Sequence, residues 1–106
     1  IPLQCEYYAL EGLADVLKTI ELVKASANPD LKVDGIVLTM YSVNNLANQV
    51  ADEIRKTFAD QVFKTVIPRN VRLSEAPSHG KSVIDYSPRS RGARAYVELC
   101  MEVLAK

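Results

Sequence analysis

A continuous apolar run of strand length constrains the fold of this chain more than any other feature. Residues 35–40 read Gly-Ile-Val-Leu-Thr-Met, without alternation of apolar and polar positions. A strand without alternation is typical of a parallel sheet that is covered on both faces. Residues 1–4 read as a short first strand, and residues 35–40 are then the second. Residues 62–67 read as a third strand, which Pro68 ends. The sequence therefore predicts a parallel α/β sheet.

Helical periodicity separates these strands. Apolar residues recur on one face from Leu10 to Val23, and this helix is expected to fade near Asn28, which precedes a proline. Asn44 and Asn45 are candidate N-caps of a second helix. Its buried side is expected to hold Leu46, Val50, Ile54 and Phe58. A last helix is expected to bury Ala93, Tyr96, Val97, Cys100, Val103 and Leu104.

The order of these elements predicts half of a doubly wound domain. Strands and helices alternate, and a stretch broken by Pro77, Gly80 and Pro88 reads as loop-rich before the last helix. Right-handed crossovers would place this order on a parallel sheet. We expect three layers, with about three strands and four helices. A sheet of three strands is narrow and looks incomplete.

Composition excludes several classes of protein. Hydrophobic residues make up 48% and charged residues 25% of the 106 positions, as in ordinary globular chains. No apolar run approaches the roughly 20 residues that span a bilayer, and no secretory signal is evident, so we expect a cytoplasmic protein without a membrane partner. Cys5 and Cys100 lack metal-ligand spacing and are expected to be buried free thiols. The lone His79 supports no metal site.

Charge is balanced overall but is uneven along the chain. Residues 1–60 carry nine acids and five bases, whereas residues 61–106 carry eight bases and four acids. A basic C-terminal half favours an anionic partner, although such asymmetry also occurs in proteins that bind nothing charged. By itself it points only weakly to nucleic acid.

Four segments carry a family resemblance: residues 1–13, 38–41, 67–80 and 87–93. The third is the most specific, and it reads Ile-Pro-Arg-Asn-Val-Arg-Leu-Ser-Glu-Ala-Pro-Ser-His-Gly. In sequence and in order, the four resemble the ParA/Soj partitioning ATPases, which are deviant Walker proteins of the MinD-like P-loop family. The resemblance covers the whole chain and implies that residues 1–106 form the C-terminal portion of a single ATPase domain.

The resemblance also implies partners and a cofactor. ParA/Soj proteins dimerise around ATP with Mg²⁺, bind DNA without sequence preference, and are stimulated by a ParB-type centromere-binding protein. The family's phosphate loop lies upstream of these residues, and this chain has no GxxxxGK[ST]. We therefore expect neither ATP hydrolysis nor tight nucleotide binding by this chain alone. The complete protein is expected in the cytoplasm, on the nucleoid.

Two groups of residues are candidate sites. The family places the adenine near the ends of the second and third strands, which gives Thr39, Met40, Pro68, Arg69 and Asn70 as nucleotide-binding residues. The alternative is that Pro68 merely ends a strand and Asn70 caps the following turn. Basic residues after the third strand are the candidate DNA contacts: Arg72, Lys81, Arg89 and Arg91. Arg72 comes first because it matches a family arginine implicated in DNA binding.

Other interpretations of the basic residues remain open. Arg69 and Arg72 could pair with Glu75 and Asp85, and Arg94 could be a solvated surface charge. Val43 falls where the family has an arginine, in a loop one residue shorter, so DNA binding is expected to be weaker than is usual in the family. A stand-alone α/β interaction module that self-associates, and a simple basic nucleic-acid binder, are the competing functions.

Overall fold

The computed structural model describes the whole chain, residues 1–106. The first half contains β1 (Pro2–Gln4), α1 (Ala9–Ser26), β2 (Ile36–Tyr41) and α2 (Asn45–Phe58). The second half contains a 3₁₀ turn (Ala59–Gln61), β3 (Val62–Pro68), α3 (Val71–Glu75), a second 3₁₀ turn (Ala76–His79), α4 (Val83–Tyr86) and α5 (Arg91–Leu104). No helix combines the length and the apolar composition that a membrane crossing requires.

The three strands form one parallel sheet in the order β1-β2-β3. Leu3 pairs with Leu38 across the first ladder, and Leu38 pairs with Val66 across the second. The β2–β3 register shifts twice, between Ile36 and Leu38 and again between Leu38 and Tyr41, which pairs with Pro68. The predicted parallel sheet is confirmed, and its second ladder is irregular at both ends of β2.

The main core lies between the sheet and the helices α1 and α2. Leu13 of α1, Ile36 and Leu38 of β2, and Ile54 of α2 are completely buried there. Burial of each such side chain stabilises the fold by about 1.5–3 kcal/mol relative to exposure. Periodicity predicted Leu13 and Ile54 correctly, but Leu46, also expected on the buried side of α2, is 48% exposed. Ala47 and Ala51 are the other buried residues on that face of α2.

The helix α5 forms the layer on the other face of the sheet. Val62 belongs to the core formed with α1 and α2, and Val66 packs against that core. Thr65 lies at the alternate position of β3 and contacts Glu102 of α5 through its hydroxyl, at 2.7 Å. Because neighbouring residues of a strand face opposite sides, α5 and the α1–α2 pair cover different faces. The expected three-layer α/β architecture is confirmed.

The buried face of α5 differs from the prediction. Ala93 is buried as expected, but Tyr96, Val97, Val103 and Leu104 are between 39% and 78% exposed. Cys100, expected to be a buried thiol, is also exposed, whereas Cys5 is buried and both are free. Periodicity identified a real apolar stripe, but Ala95, Leu99 and Glu102 are the residues that approach the sheet. The side chains of Val97, Cys100, Met101 and Leu104, which we call the outward stripe, are exposed.

The stretch after β3 is more helical than expected. Two one-turn helices, α3 and α4, join the three long ones, where about four helices in all were predicted. A small cluster of Ala76, Val83 and Ala93 ties this segment to α5. Gly80 ends the second 3₁₀ turn with a φ of 64°, a left-handed conformation that glycine adopts at no steric cost. The residues expected to break the chain, Pro77, Gly80 and Pro88, therefore lie within or between short helices.

Candidate functional site

The ends of β2 and β3 meet at one corner of the sheet. Tyr41 pairs with Pro68, and the backbone N–H of Arg69 donates to the carbonyl oxygen of Tyr41 at 3.0 Å. This bond extends the parallel ladder beyond the last residue of β3. The two segments with predicted nucleotide-binding residues, 39–41 and 68–70, are therefore neighbours at the carboxyl edge of the sheet, where ligands of open α/β sheets bind.

Met40 has an unusual backbone conformation at this corner. Its φ of 49° lies in the left-handed region, which non-glycine residues seldom occupy. The register of β2 against β3 shifts over the same residues. The side chain of Met40 is 39% exposed, whereas Thr39 is half-buried. The bulge therefore turns a large apolar side chain toward solvent beside the strand ends.

Asn70 caps the helix that follows β3. Its side-chain oxygen accepts a hydrogen bond from the backbone N–H of Arg72, at 3.1 Å. Pro68, which is half-buried, is the last residue of β3. The capping and strand-ending roles weighed from the sequence are thus both present. The side-chain amide N–H groups of Asn70 make no hydrogen bond within the chain and remain able to donate.

The predicted DNA contacts are spread over separate elements. Arg72 lies on α3 and pairs with Glu75 at 2.9 Å, as the alternative interpretation allowed, and its side chain is half exposed. Lys81 and Arg89 lie in the segments before α4 and α5, and Arg91 begins α5. These three side chains are exposed and make no ion pair or hydrogen bond within the chain. Arg69 likewise pairs with neither Glu75 nor Asp85.

A cleft brings three arginines together beside the strand ends. It has a volume of about 550 Å³ and opens between the end of β2, the end of β3 and the start of α5. Arg69, Arg91 and Arg94 line it, and we call it the arginine cleft. Lys81 lies elsewhere, in a cavity of about 410 Å³ with Leu73 and Tyr96. Of the four predicted DNA contacts, Arg91 lines the arginine cleft and Lys81 the second cavity, whereas Arg72 and Arg89 line neither.

Arg94 is the residue of this cleft that sequence reasoning left among the ordinary surface charges. Arg91 and Arg94 are three positions apart, a spacing that places two side chains on the same side of a helix. That spacing was available in the sequence. The approach of both side chains to Arg69 was not, because it depends on how α5 packs on β3.

Two groups outside the corner have shifted pKa values. Burial raises the pKa of the Cys5 thiol, and the charge of Arg55 offsets this in part. A raised pKa leaves little thiolate, so Cys5 behaves as an inert core residue. For Glu102, burial also acts to raise the pKa, but hydrogen bonds from Thr65 and Lys64 outweigh it and leave the pKa lowered. Neither group belongs to the strand-end corner.

Comparison with known proteins places the fold in a family. Residues 6–83 match the CobQ/CobB/MinD/ParA nucleotide binding domain. The chain is 59% identical over 106 residues to the sporulation initiation inhibitor protein Soj of Bacillus subtilis, covering 99% of the chain and 42% of that protein. It is 54% identical over 107 residues to the chromosome partitioning protein ParA of Myxococcus xanthus, covering all of the chain and 38% of that protein.

A third relative matches the chain over the same length. The chromosome-partitioning ATPase Soj of Thermus thermophilus is 52% identical over 107 residues, covering all of the chain and 43% of that protein. The chain thus spans about two fifths of the length of the curated relatives that it matches. The resemblance inferred from residues 1–13, 38–41, 67–80 and 87–93 is confirmed. This chain belongs to the CobQ/CobB/MinD/ParA nucleotide-binding family and corresponds to a segment of its Soj and ParA members.

Proposed function

We propose that these residues serve a ParA/Soj-type partitioning ATPase in chromosome or plasmid segregation. In that protein they contribute the adenine side of the nucleotide site, dimerisation and non-specific DNA binding. The observation that carries the proposal is the hydrogen bond between Arg69 and Tyr41, which brings both candidate nucleotide segments to the carboxyl edge of the sheet. Relatives named as chromosome-partitioning proteins align with the whole chain.

The nucleotide part of the proposal assigns ATP with Mg²⁺ to the complete protein. Thr39, Met40, Pro68, Arg69 and Asn70 surround the base end of the ligand. Asn70 uses its oxygen as a cap, but its free amide N–H groups can donate to a ring nitrogen of adenine. These 106 residues contain no phosphate loop, so by themselves they would hold nucleotide weakly and hydrolyse none. Phosphate release by the isolated 106-residue chain would contradict this.

The DNA part of the proposal assigns phosphate contacts to Arg72, Lys81, Arg89 and Arg91. All four are exposed, as contacts to a polyanion must be. The pair between Arg72 and Glu75 is a surface ion pair, which typically contributes about 0–1 kcal/mol and yields readily to a phosphate. Dimerisation around ATP would double this basic surface, and a ParB-type protein would stimulate hydrolysis. The site of action is the nucleoid in the cytoplasm.

Equilibrium DNA binding by the full-length protein tests the proposal. Arg72→Ala should weaken binding to unrelated duplexes by a similar factor, and it should lower the salt slope by about one, because one phosphate contact is lost. Lys32→Ala, which removes an exposed charge from the loop before β2, is the matched control. Unchanged binding of the Arg72 variant at low salt would make Arg72 a structural residue only.

Nucleotide binding is tested separately, with a fluorescent ATP analogue and the full-length protein. Asn70→Asp retains an oxygen that caps α3 but removes the amide donor, so it should weaken nucleotide binding while leaving the thermal midpoint nearly unchanged. Asn44→Asp, the same change at the N-cap of α2, is the control. Equal nucleotide affinity of both variants and the wild type would remove Asn70 from the site.

A specific observation also favours the interaction module as a second candidate. The outward stripe of α5 exposes Val97, Met101 and Leu104 on one side of the helix. Apolar patches of this kind mark surfaces that bind partners. Self-association of this chain without nucleotide or DNA would follow.

A further inference from the structure

The arginine cleft holds more positive charge than its surroundings neutralise. Arg69, Arg91 and Arg94 line it, and Glu98 is its single acid. None of the three arginines makes an ion pair or a side-chain hydrogen bond within the chain. By contrast, Arg55 donates to carbonyl oxygens of β3, and Arg72 pairs with Glu75. The cleft thus gathers three of the four arginines whose side-chain hydrogen-bond donors are unused, and Arg89, outside the cleft, is the fourth.

The position of the cleft on α5 is electrostatically unfavourable without a ligand. Arg91 begins the helix and Arg94 follows one turn later, at the end where aligned peptide dipoles repel cations. No acid lies in the first turn of α5. Neither of the other long helices places a cation in its first turn, since α1 has Glu11 there and α2 has no charged residue. Local rules are broken chiefly at functional sites.

The walls of the cleft add an apolar surface to this charge. Val66 and Pro68 line it from β3, and Val43, 86% exposed, stands on its rim. Guanidinium groups match phosphate geometry, and an apolar wall suits the sugar that links one phosphate to the next. The cleft has no glycine-rich loop whose N–H groups could enclose a triphosphate. Its chemistry fits an extended chain of phosphates better than a free nucleotide.

We propose that the arginine cleft binds the phosphodiester backbone of DNA through Arg69, Arg91 and Arg94. The inference rests on the proposed DNA-binding function and adds two contacts to it. Arg94 becomes a contact rather than a solvated charge. The side chain of Arg69 serves the DNA backbone, while its main chain holds the corner beside the base. The helix dipole of α5 also attracts the bound phosphate.

A paired substitution in the full-length protein tests this site. Arg91→Gln with Arg94→Gln should weaken binding of a short fluorescent duplex about tenfold at low salt, and lower the salt slope by roughly two, because each phosphate contact contributes about 0.9. Lys18→Gln with Lys56→Gln removes the same charge from exposed positions of α1 and α2 and should leave the slope unchanged. Circular dichroism and thermal midpoints confirm that both variants fold.

The outcomes separate this inference from the proposed function. If Arg72→Ala weakens DNA binding and the cleft variant does not, the cleft is not a DNA site and the broader function stands. If the wild-type protein binds no duplex at any salt concentration, both are wrong. If the cleft variant loses the fluorescent ATP analogue but keeps the wild-type salt slope, the cleft belongs to the nucleotide and the inference is overturned.

Added positive charge at the arginine cleft tests the same site, because it should strengthen DNA binding. Val43→Arg places a fourth cation beside the three arginines and should raise the salt slope by about one, with tighter duplex binding at low salt. Leu22→Arg adds the same charge at an exposed apolar position of α1, away from the cleft and from the other proposed DNA contacts. Equal gains from both variants would reduce the effect to net charge and contradict a localised site.

Discussion

Met40 concentrates the backbone strain of the strand-end corner in one residue. A non-glycine residue in the left-handed region costs about 1–2 kcal/mol, and Met40 has a φ of 49°. Such strain persists where the surrounding structure imposes it, and it is common at binding sites. Here the ladder on either side, from Leu38 to Tyr41, fixes the bulge. The exposure of Met40 accompanies this bulge.

A β-branched side chain at position 40 should increase the backbone strain and lower the stability of the fold. Met40→Val places a β-branched side chain in a conformation that such residues strongly avoid, so the free energy of unfolding should fall by about 1–2 kcal/mol. Met40→Leu, of similar size and unbranched at Cβ, is the control. Urea unfolding midpoints measure both. If the two variants are equally stable, the left-handed conformation of Met40 does not carry the strain assigned to it.

At the scale of elements, Glu102 connects α5 to β3 through hydrogen bonds. Its carboxylate accepts hydrogen bonds from the N–H groups of Lys64, at 2.6 Å, and Thr65, at 2.9 Å. Those N–H groups lie on β3, in the stretch where its register against β2 shifts between Val62 and Val66. One side chain thus positions a helix and satisfies two backbone donors of β3.

The lowered pKa of Glu102 predicts a pH-dependent contribution to stability. Its pKa in the folded chain lies below the unfolded value of about 4.3. The carboxylate therefore stabilises the fold above that value, and this contribution is lost as pH falls through the lowered pKa. Glu102→Gln should unfold at lower urea than the wild type at pH 7, with the difference shrinking toward pH 3. Glu98→Gln, whose side chain makes no hydrogen bond, should show no such trend.

The contact between α3 and α5 depends on a glycine. A Cβ atom at Gly92 would lie 2.7 Å from the Cγ of Leu73, closer than packed atoms can approach. Gly92 is buried within α5, where glycine ordinarily weakens a helix. The close approach explains why it is present. Through Leu73, this contact also holds the short helix that carries Arg72.

Substitution of Gly92 should reveal this packing. Gly92→Ala gains helix propensity but overpacks the contact, so the free energy of unfolding should fall by about 1–3 kcal/mol. Leu73→Ala in the same chain should recover part of that loss, which a double-mutant cycle measures. Gly12→Ala is the control, since a Cβ there meets nothing within 4 Å and should stabilise α1 by up to about 1 kcal/mol. Additive losses at Gly92 and Leu73 would contradict the contact.

At the scale of the whole molecule, the outward stripe of α5 leaves apolar side chains exposed along one side of a helix. Val97, Cys100, Met101 and Leu104 recur at helical spacing on the exposed side. The sheet also has only three strands, and β1 pairs on one side alone. The chain spans about two fifths of the length of its curated relatives.

We expect these 106 residues, studied by themselves, to self-associate through the stripe. Met101→Glu with Leu104→Glu should shift sedimentation toward the monomer, because charges at both positions would be buried without partners. Val16→Glu with Leu22→Glu, on the exposed side of α1, is the matched control and should not. A wild-type chain that sediments as a monomer at all concentrations would contradict the interaction-module candidate.

Local chemistry made several features predictable from the residues. Asn44 caps α2, as predicted, and its side-chain oxygen accepts from the N–H of Ala47 at 2.8 Å. The apolar runs of β2 and β3 form strands, and the resemblance identified the family. Each of these depends on residues close in sequence or on a motif read in order. The buried face of α5 and the membership of the arginine cleft were missed, because both depend on packing between distant elements.

The sequence by itself determined the class of fold, the order of its elements and the family, because periodicity, caps and motifs are local properties of the chain. Only the tertiary structure decided which side of α5 meets the sheet, since both sides carry residues that could pack. It also decided that Arg69 and Arg94 share a cleft, although they are 25 positions apart. Side chains so far apart along the chain meet only when β3 and α5 pack against each other.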